Sequence, residues 1–408
     1  DLESRQMGLT YVVDRLVEHV SPELADYLSA YADGINAYIE AVRNDSLPAP
    51  TETQYAGLLG YASAADMMKP FALRDVISLL GVFLYQSNFE GGDVGRAARA
   101  ARLDELFAGA TDEALRRQGF SDDVWNDVRQ LFPDTNSSEG FGVGKSRPVS
   151  HAAKPRAGGD KPLPAGMAQR LNDKIEARML TLGRDREAGF GSNAWAVAGA
   201  KTADGRALFA GDGHLELTTP ALMYGAGVDT KVFAPTASNV PPAEPGVRMF
   251  GGWALHFPVM MAGTNGDTAW SGVNPGMDIT DWYREELQLD ASGKPKASFF
   301  LGEWHDLVAT GERYVIADIP LLDSVGDTQQ WTSWQTFDGR RISSIEGRPA
   351  AGPDDAGPGE SVINLLGDLV VPADIDGDGV VTAISFDHVA FDATRWGDNL
   401  YELGHAKT

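Results

Sequence analysis

Leu9, Val12, Val13, Leu16 and Val20 recur at three- and four-residue intervals, the spacing that gathers apolar side chains on one face of a helix. Ser21-Pro22-Glu23 then carries a start signal for a second helix: a hydroxyl cap, a proline where no N–H is needed, and an acid in the first turn. An apolar run from Asp75 to Leu84 and an Ala-, Arg- and Leu-rich stretch from Val94 to Phe107 extend the pattern, and Trp125, Val128 and Leu131 close it. Residues 1–130 therefore read as mostly helical, with their apolar stripes used for helix packing.

From Asn136 to Gly166 the composition shifts to Ser, Gly, Pro, Lys and Arg, which reads as a flexible linker; Asn172 to Leu182 is helical in pattern again. After Ser192 the period changes. Ala194, Ala196 and Ala198 alternate with Trp195 and Val197, the turn Ala203-Asp204-Gly205 follows, and Ala207-Leu208-Phe209-Ala210 returns as a second strand. Gly251 to Trp270 reads as two apolar strands separated by the turn Thr264-Asn265-Gly266-Asp267, and Asn274-Pro275-Gly276 then breaks the strand. Trp304 to Val308 and Arg313 to Ile316 look like meander strands, and Phe391 to Trp396 leads into a short terminal helix. Helices first and strands later predict an α+β protein.

Composition narrows the partners. With 43% hydrophobic and 23% charged residues the chain reads as globular, and 408 residues suffice for one large or two ordinary cores. A net charge of −24 argues against nucleic acid and anionic membrane, and favours a cation such as calcium. The absence of cysteine removes disulfides, thiolate nucleophiles and thiolate metal sites. No apolar run is long enough for a membrane span. Gly142-Val143-Gly144-Lys145-Ser146 invites a phosphate-loop reading, but Glu139 stands where that pattern needs glycine and would repel phosphate. Asp374-Ile375-Asp376-Gly377-Asp378-Gly379 mimics a calcium loop, yet Ser385 occupies the position of its closing glutamate, so an acidic hairpin turn is the reading.

Ser192 is the candidate for chemistry. Gly189 and Gly191 leave the backbone before it free to bend. A serine hydroxyl is a weak nucleophile without a base. If the Gly191–Ser192 bond is cut, Ser192 carries its own base, an α-amine that titrates at about 7.7–8.0 in model compounds. On this stretch alone, an ordinary hairpin that merely starts with serine is the alternative.

Gly191-Ser192-Asn193-Ala194-Trp195-Ala196-Val197, then Asp212-Gly213-His214-Leu215, Pro220 and Tyr224, resemble the penicillin acylase branch of the N-terminal nucleophile hydrolases. Ser21-Pro22-Glu23 with Tyr31 to Ile39 resembles the helix of that family's α-subunit, and Asn265 to Trp270 with Asp278-Ile279-Thr280-Asp281 its β-subunit turn and calcium segment. The resemblance implies a four-layer αββα sandwich divided into a helical α-portion (1–140), a linker or spacer peptide (141–191) and a β-portion (192–408) that begins at the nucleophile. It implies that Ser192 attacks an amide carbonyl, that His214 orients groups at the reaction centre, and that the Asn274 N–H donates to the oxyanion. Leu215, Pro220, Met223 and Tyr224 would shape the acyl pocket. Structural Ca2+ would be held by Asp278, Thr280 and Asp281 with an acid from the α-portion, Asp93 or alternatively Glu90.

Expected partners are a small N-acyl substrate and the two portions of one precursor as a heterodimer. The substrate would be a penicillin, an acyl-homoserine lactone, a lipopeptide or another N-acylated amine; an uncleaved precursor or a calcium-stabilised binding protein is the inactive counterpart. The resemblance places such a protein in the periplasm or outside the cell. An oxyanion asparagine and its neighbouring arginine match no residue here, so the chain is expected to be an internal portion of a longer precursor.

Overall fold

The structure is a computed structural model that describes residues 2–89, 91–95, 97–99, 163–164, 166–181, 191–214, 221–229, 248–254, 257–273, 279–319, 323–391 and 395–406. The described residues of the N-terminal portion are mostly helical, as the apolar spacing predicts. After the short α1 (Leu2–Gln6), α2 (Leu9–His19) buries Leu9, Val12, Val13 and Leu16. α3 (Pro22–Arg43) starts where the capping signal lies: the Leu24 N–H donates to the Ser21 hydroxyl at 3.2 Å, and Pro22 fills the first turn. α4 (Ala64–Met67), α5 (Leu73–Asn88), α6 (Met167–Thr181) and α7 (Trp396–His405) complete the labelled helices. The helical expectation for 100–131 lies outside the described residues.

The strands begin with a separate hairpin, β1 (Gly191–Val197) and β2 (Leu208–His214). A four-stranded antiparallel sheet follows in sequence order: β3 (Met223–Asp229), β4 (Arg248–Ala254), β5 (Phe257–Thr264) and β6 (Ala269–Trp270). The expected pair of strands in 251–270 is therefore three. The apolar run before Thr264 folds back on itself, so that Gly251 pairs with Gly263, and only the turn at 264–267 falls where predicted.

The largest sheet contains β7 (Thr280–Leu289), β8 (Pro295–Phe300), β9 (Glu303–Asp306), β10 (Val308–Ile316), β11 (Asp327–Gln335), β12 (Arg341–Ile345) and β16 (Val381–His388). Their order is β10-β11-β12-β16-β7-β8-β9. A small sheet of β13 (Gly347–Pro349), β15 (Asp368–Pro372) and β14 (Ile363–Leu365) completes the strands.

Alternation along β16 sends its residues to two different cores. Ile384 and Phe386 join the helices in the main core, where Phe89 meets Phe386 at 5.7 Å and Trp282 at 6.0 Å, both edge to face. Val381 and Ala383 face the other way and pack with Ile342, Ile345, Ile363 and Leu365 beneath the small sheet. Arg341 ties β12 to the N-terminus by donating to the carbonyls of Gln6 and Arg5, each at 3.1 Å. Burial pulls its guanidinium down to about 10, which still leaves it charged at neutral pH, and pushes the neighbouring Glu312 carboxyl up. Gly8 sits under that guanidinium with φ 81°, and a Cβ there would meet Arg341 Nη1 at 2.8 Å.

Candidate active site

The hairpin that carries Ser192 is closed by local chemistry. Gly205 takes φ 73° in the turn, and Asp204 accepts the Arg206 N–H at 3.1 Å and its Nε–H at 2.9 Å. Those bonds hold the Asp204 carboxyl below its ordinary range. Thr202 donates its hydroxyl to the Arg206 carbonyl at 2.8 Å and so pins the two limbs together. The register then runs unbroken from Val197–Leu208 to Gly191–His214.

Directly paired residues of an antiparallel ladder share a face, which sorts the site. Ser192 lies opposite Gly213 and shares its face with Ala194, Ala196, Phe209 and Gly211. No side chain stands across the ladder from it, and Ser192 is half-buried at the head of the strand. Ser271, just after β6, presses on the same face: a Cβ on Gly211 would meet Ser271 Oγ at 2.3 Å, so glycine is required for that approach. Ser271 is the residue that sequence reasoning missed here, because nothing local to it signals its seat against the hairpin.

His214 sits at the same end of the hairpin as Ser192 but projects from the opposite face, with Asn193 and Asp212. Its Nε2 lies 3.0 Å from Asn193 Nδ2 and 3.1 Å from Asp212 Oδ2. One ring N–H pointing at Asp212 also serves Asn193 when that amide turns its oxygen inward. His214 thus fixes the side chain that directly follows Ser192, through an exposed three-residue network.

Of the expected pocket residues, Met223 packs against the main core and Tyr224 is exposed on β3, paired with Trp253. Leu215, Pro220 and Asn274 lie outside the described residues. Two tyrosines from α3 gather near Tyr224. Burial raises the Tyr27 phenol to about 12, and the phenols of Tyr401, Tyr224 and Tyr31 add to the rise; Tyr31 is raised by burial and by Tyr224. Tyr27 donates to the Pro258 carbonyl at 2.7 Å, which ties α3 to β5.

Among the expected calcium ligands, Asp278 and Glu90 lie outside the described residues. Thr280 is fully buried, Asp281 is exposed, and Asp93 is half-buried in the short helical stretch that follows α5. Asp281 faces Asp387 directly across the β7–β16 ladder. Both carboxylates push the Tyr283 phenol up, behind the larger effect of burial. The Asp93 and Asp281 carboxylates and the Thr280 carbonyl are hard oxygens, the kind of ligand calcium takes.

The acidic turn at 374–379 is held by its own backbone. Asp374 accepts N–H bonds from Gly377, Asp378 and Gly379, and the buried Glu346 accepts them from Ile375, Asp376 and Thr382. These contacts suit the hairpin-turn reading. Carboxylate oxygens of Glu346, Asp374 and Asp376 lie within 4.8 Å of one another.

A family model described as penicillin amidase matches residues 1–365. Penicillin acylase 2 proenzyme of Pseudomonas sp. (strain SE83) is 27% identical over 292 residues, covering 71% of this chain and 30% of the relative. Penicillin G acylase of Escherichia coli is 22% identical over 370 residues, covering 85% and 39%. The chain thus spans about a third of the length of these relatives. Among solved structures, a thermostable penicillin G acylase from Alcaligenes faecalis aligns with 46% of this chain and 24% of its own at 17% identity. Its TM-score of 0.28 carries no structural argument.

Proposed function

The chain belongs to the penicillin amidase family, and from that premise we propose that it is the nucleophile-bearing part of an amide hydrolase that matures by cutting itself before Ser192. In the maturation step Ser192 Oγ attacks the Gly191 carbonyl carbon and the C–N bond breaks. The Ser192 nitrogen takes up the hydroxyl proton and leaves as an amine, and water then hydrolyses the resulting ester to a Gly191 carboxylate and a free hydroxyl. In turnover the same hydroxyl attacks the substrate amide, its proton passes by way of the α-amine to the leaving nitrogen, and water releases the acid. The observation that carries this reading is the position of Ser192, half-buried at the head of β1 with only glycine opposite.

His214 is a positioning residue in this scheme, acting on Asn193, and the Asn274 N–H is the proposed oxyanion donor. Leu215, Pro220, Met223 and Tyr224, with Tyr27 and Tyr31 nearby, would bound the acyl group of a penicillin or a related N-acylated amine. Calcium would be held by Asp278, Thr280 through its main chain, Asp281 and Asp93, and would supply a cross-link between the α- and β-portions. The architecture we propose is the four-layer αββα sandwich, in a periplasmic or secreted protein. No helix among the described residues is long and apolar enough to cross a membrane.

Intact-mass and N-terminal analysis of the purified protein tests the premise: a fragment beginning at Ser192 is expected. Ser192→Ala should leave the chain uncut and lower amide turnover by roughly 10⁴-fold or more. Turnover should climb as pH rises through about 7.7–8.0, where a terminal amine loses its proton and becomes a base. Hydrolysis retained by Ser192→Ala would sink the mechanism.

A further inference from the structure

Helix α6 occupies the stretch just before Ser192, inside what the family resemblance assigns to an excised spacer. Its packing is that of a core element. Met167, Ala168, Leu171 and Ile175 are each no more than 5% exposed, and Met167, Leu171 and Ile175 belong to the main core shared by the N-terminal helices and β16. The fit to the helical stretch after α5 is close: a Cβ on Gly91 would meet Ile175 Cγ2 at 2.6 Å, and one on Gly95 would meet Asn172 Oδ1 at 2.9 Å.

The polar edge of α6 reaches both portions of the chain. Arg178 donates to the Gln6 side chain at 2.7 Å and to the Leu366 carbonyl at 3.2 Å. Lys174 donates to the same carbonyl at 3.0 Å and pairs with Asp368 at 2.6 Å. One helix therefore touches α1, the helical stretch after α5, and the β14–β15 turn of the strand portion. A segment removed without harm would be expected to rest on the fold through exposed polar contacts. Losing this one would open a groove in the main core and leave the Leu366 carbonyl without both cations.

We propose that α6 is retained in the mature protein as a clasp between the helical and strand portions, so that any second cut falls outside Met167–Thr181. The proposal rests on the reading that Gly191–Ser192 is cleaved, and the experiment separates the two. The full chain is purified, run on native size exclusion, and the eluted complex is analysed by denaturing mass spectrometry. The expected result is a fragment beginning at Ser192 together with a co-eluting fragment that contains all of 167–181. A complex that keeps the Ser192 fragment but lacks every peptide from 167–181 overturns the clasp.

If the Gly191–Ser192 bond is intact, the maturation reading fails, and limited proteolysis of the uncut chain decides the anchoring. The helix is then expected to survive as long as β7 and β16 do, and its early loss from an otherwise folded chain overturns it. Ile175→Asp should release the helix. Should that variant not fold, Lys174→Gln, which removes the ion pair to Asp368 near the surface, should speed proteolytic loss of 167–181 several-fold, and an unchanged rate would count against the clasp.

Discussion

Tyr27 shows how one side chain couples an element contact to a measurable titration. Its hydroxyl donates to the Pro258 carbonyl at 2.7 Å, and burial, followed by its phenol neighbours, raises it to about 12 from an ordinary 10.0. A folded-state value above the unfolded one contributes stability that is complete below about 10 and lost as pH rises toward about 12, because the unfolded chain ionises first. The parent should therefore lose stability in that alkaline window. Tyr27→Phe removes the hydrogen bond, at a cost of about 1 kcal/mol at neutral pH, and also removes the titration. Chemical denaturation at pH 8 and again near pH 11.5 should show the gap between parent and variant narrowing. A gap that stays constant would mean that the phenol is not shielded. At this scale the sequence was partly legible: Tyr31 and Tyr224 stand in family-like motifs, whereas Tyr27 is marked only by its place four residues before Tyr31, and its partner Pro258 lies far along the chain.

Elements governed by adjacent residues were readable, and those governed by distant ones were not. α3 announced itself because its cap, proline and first-turn acid are consecutive, and the β1–β2 hairpin because alternation and an Asp-Gly turn lie within one short window. The extra reversal before Thr264 was missed, since it depends on how Gly251 meets Gly263 across the ladder. The β15–β16 connection is the sharper case. Its acidic residues suggested a turn, but Glu346, which organises it, enters from a strand junction well upstream, and no spacing rule connects the two. Glu346 is 1% exposed and accepts three backbone N–H bonds. Glu346→Ala should leave those donors without their acceptor and cost about 3 kcal/mol, read as a lower denaturation midpoint. Hydrogen exchange at Ile375, Asp376 and Thr382 should rise first. A variant that unfolds at the parent midpoint would show that water replaces the carboxylate at no cost.

For the whole molecule the governing quantity is a net charge of −24 on a fold whose helical and strand portions share one core. Self-repulsion at that charge weakens any folded state, and simple salt relieves it by screening beyond a Debye length of about 8 Å at 0.15 M. Calcium can act in the same general way, so a rise in melting temperature on adding it does not by itself identify a site. Asp281, a proposed calcium ligand, supplies the distinction. A cation held there would stabilise by mass action, at millimolar concentration and beyond what NaCl gives at equal ionic strength. The expected result is a calcium-dependent rise that chelation reverses and that Asp281→Asn largely abolishes, while the response to NaCl is retained. Equal responses to calcium and to matched NaCl would reduce the whole effect to screening. The proposed link between the two portions would then rest on buried contacts alone, those of α6 and the Arg341 bonds to Arg5 and Gln6 among them.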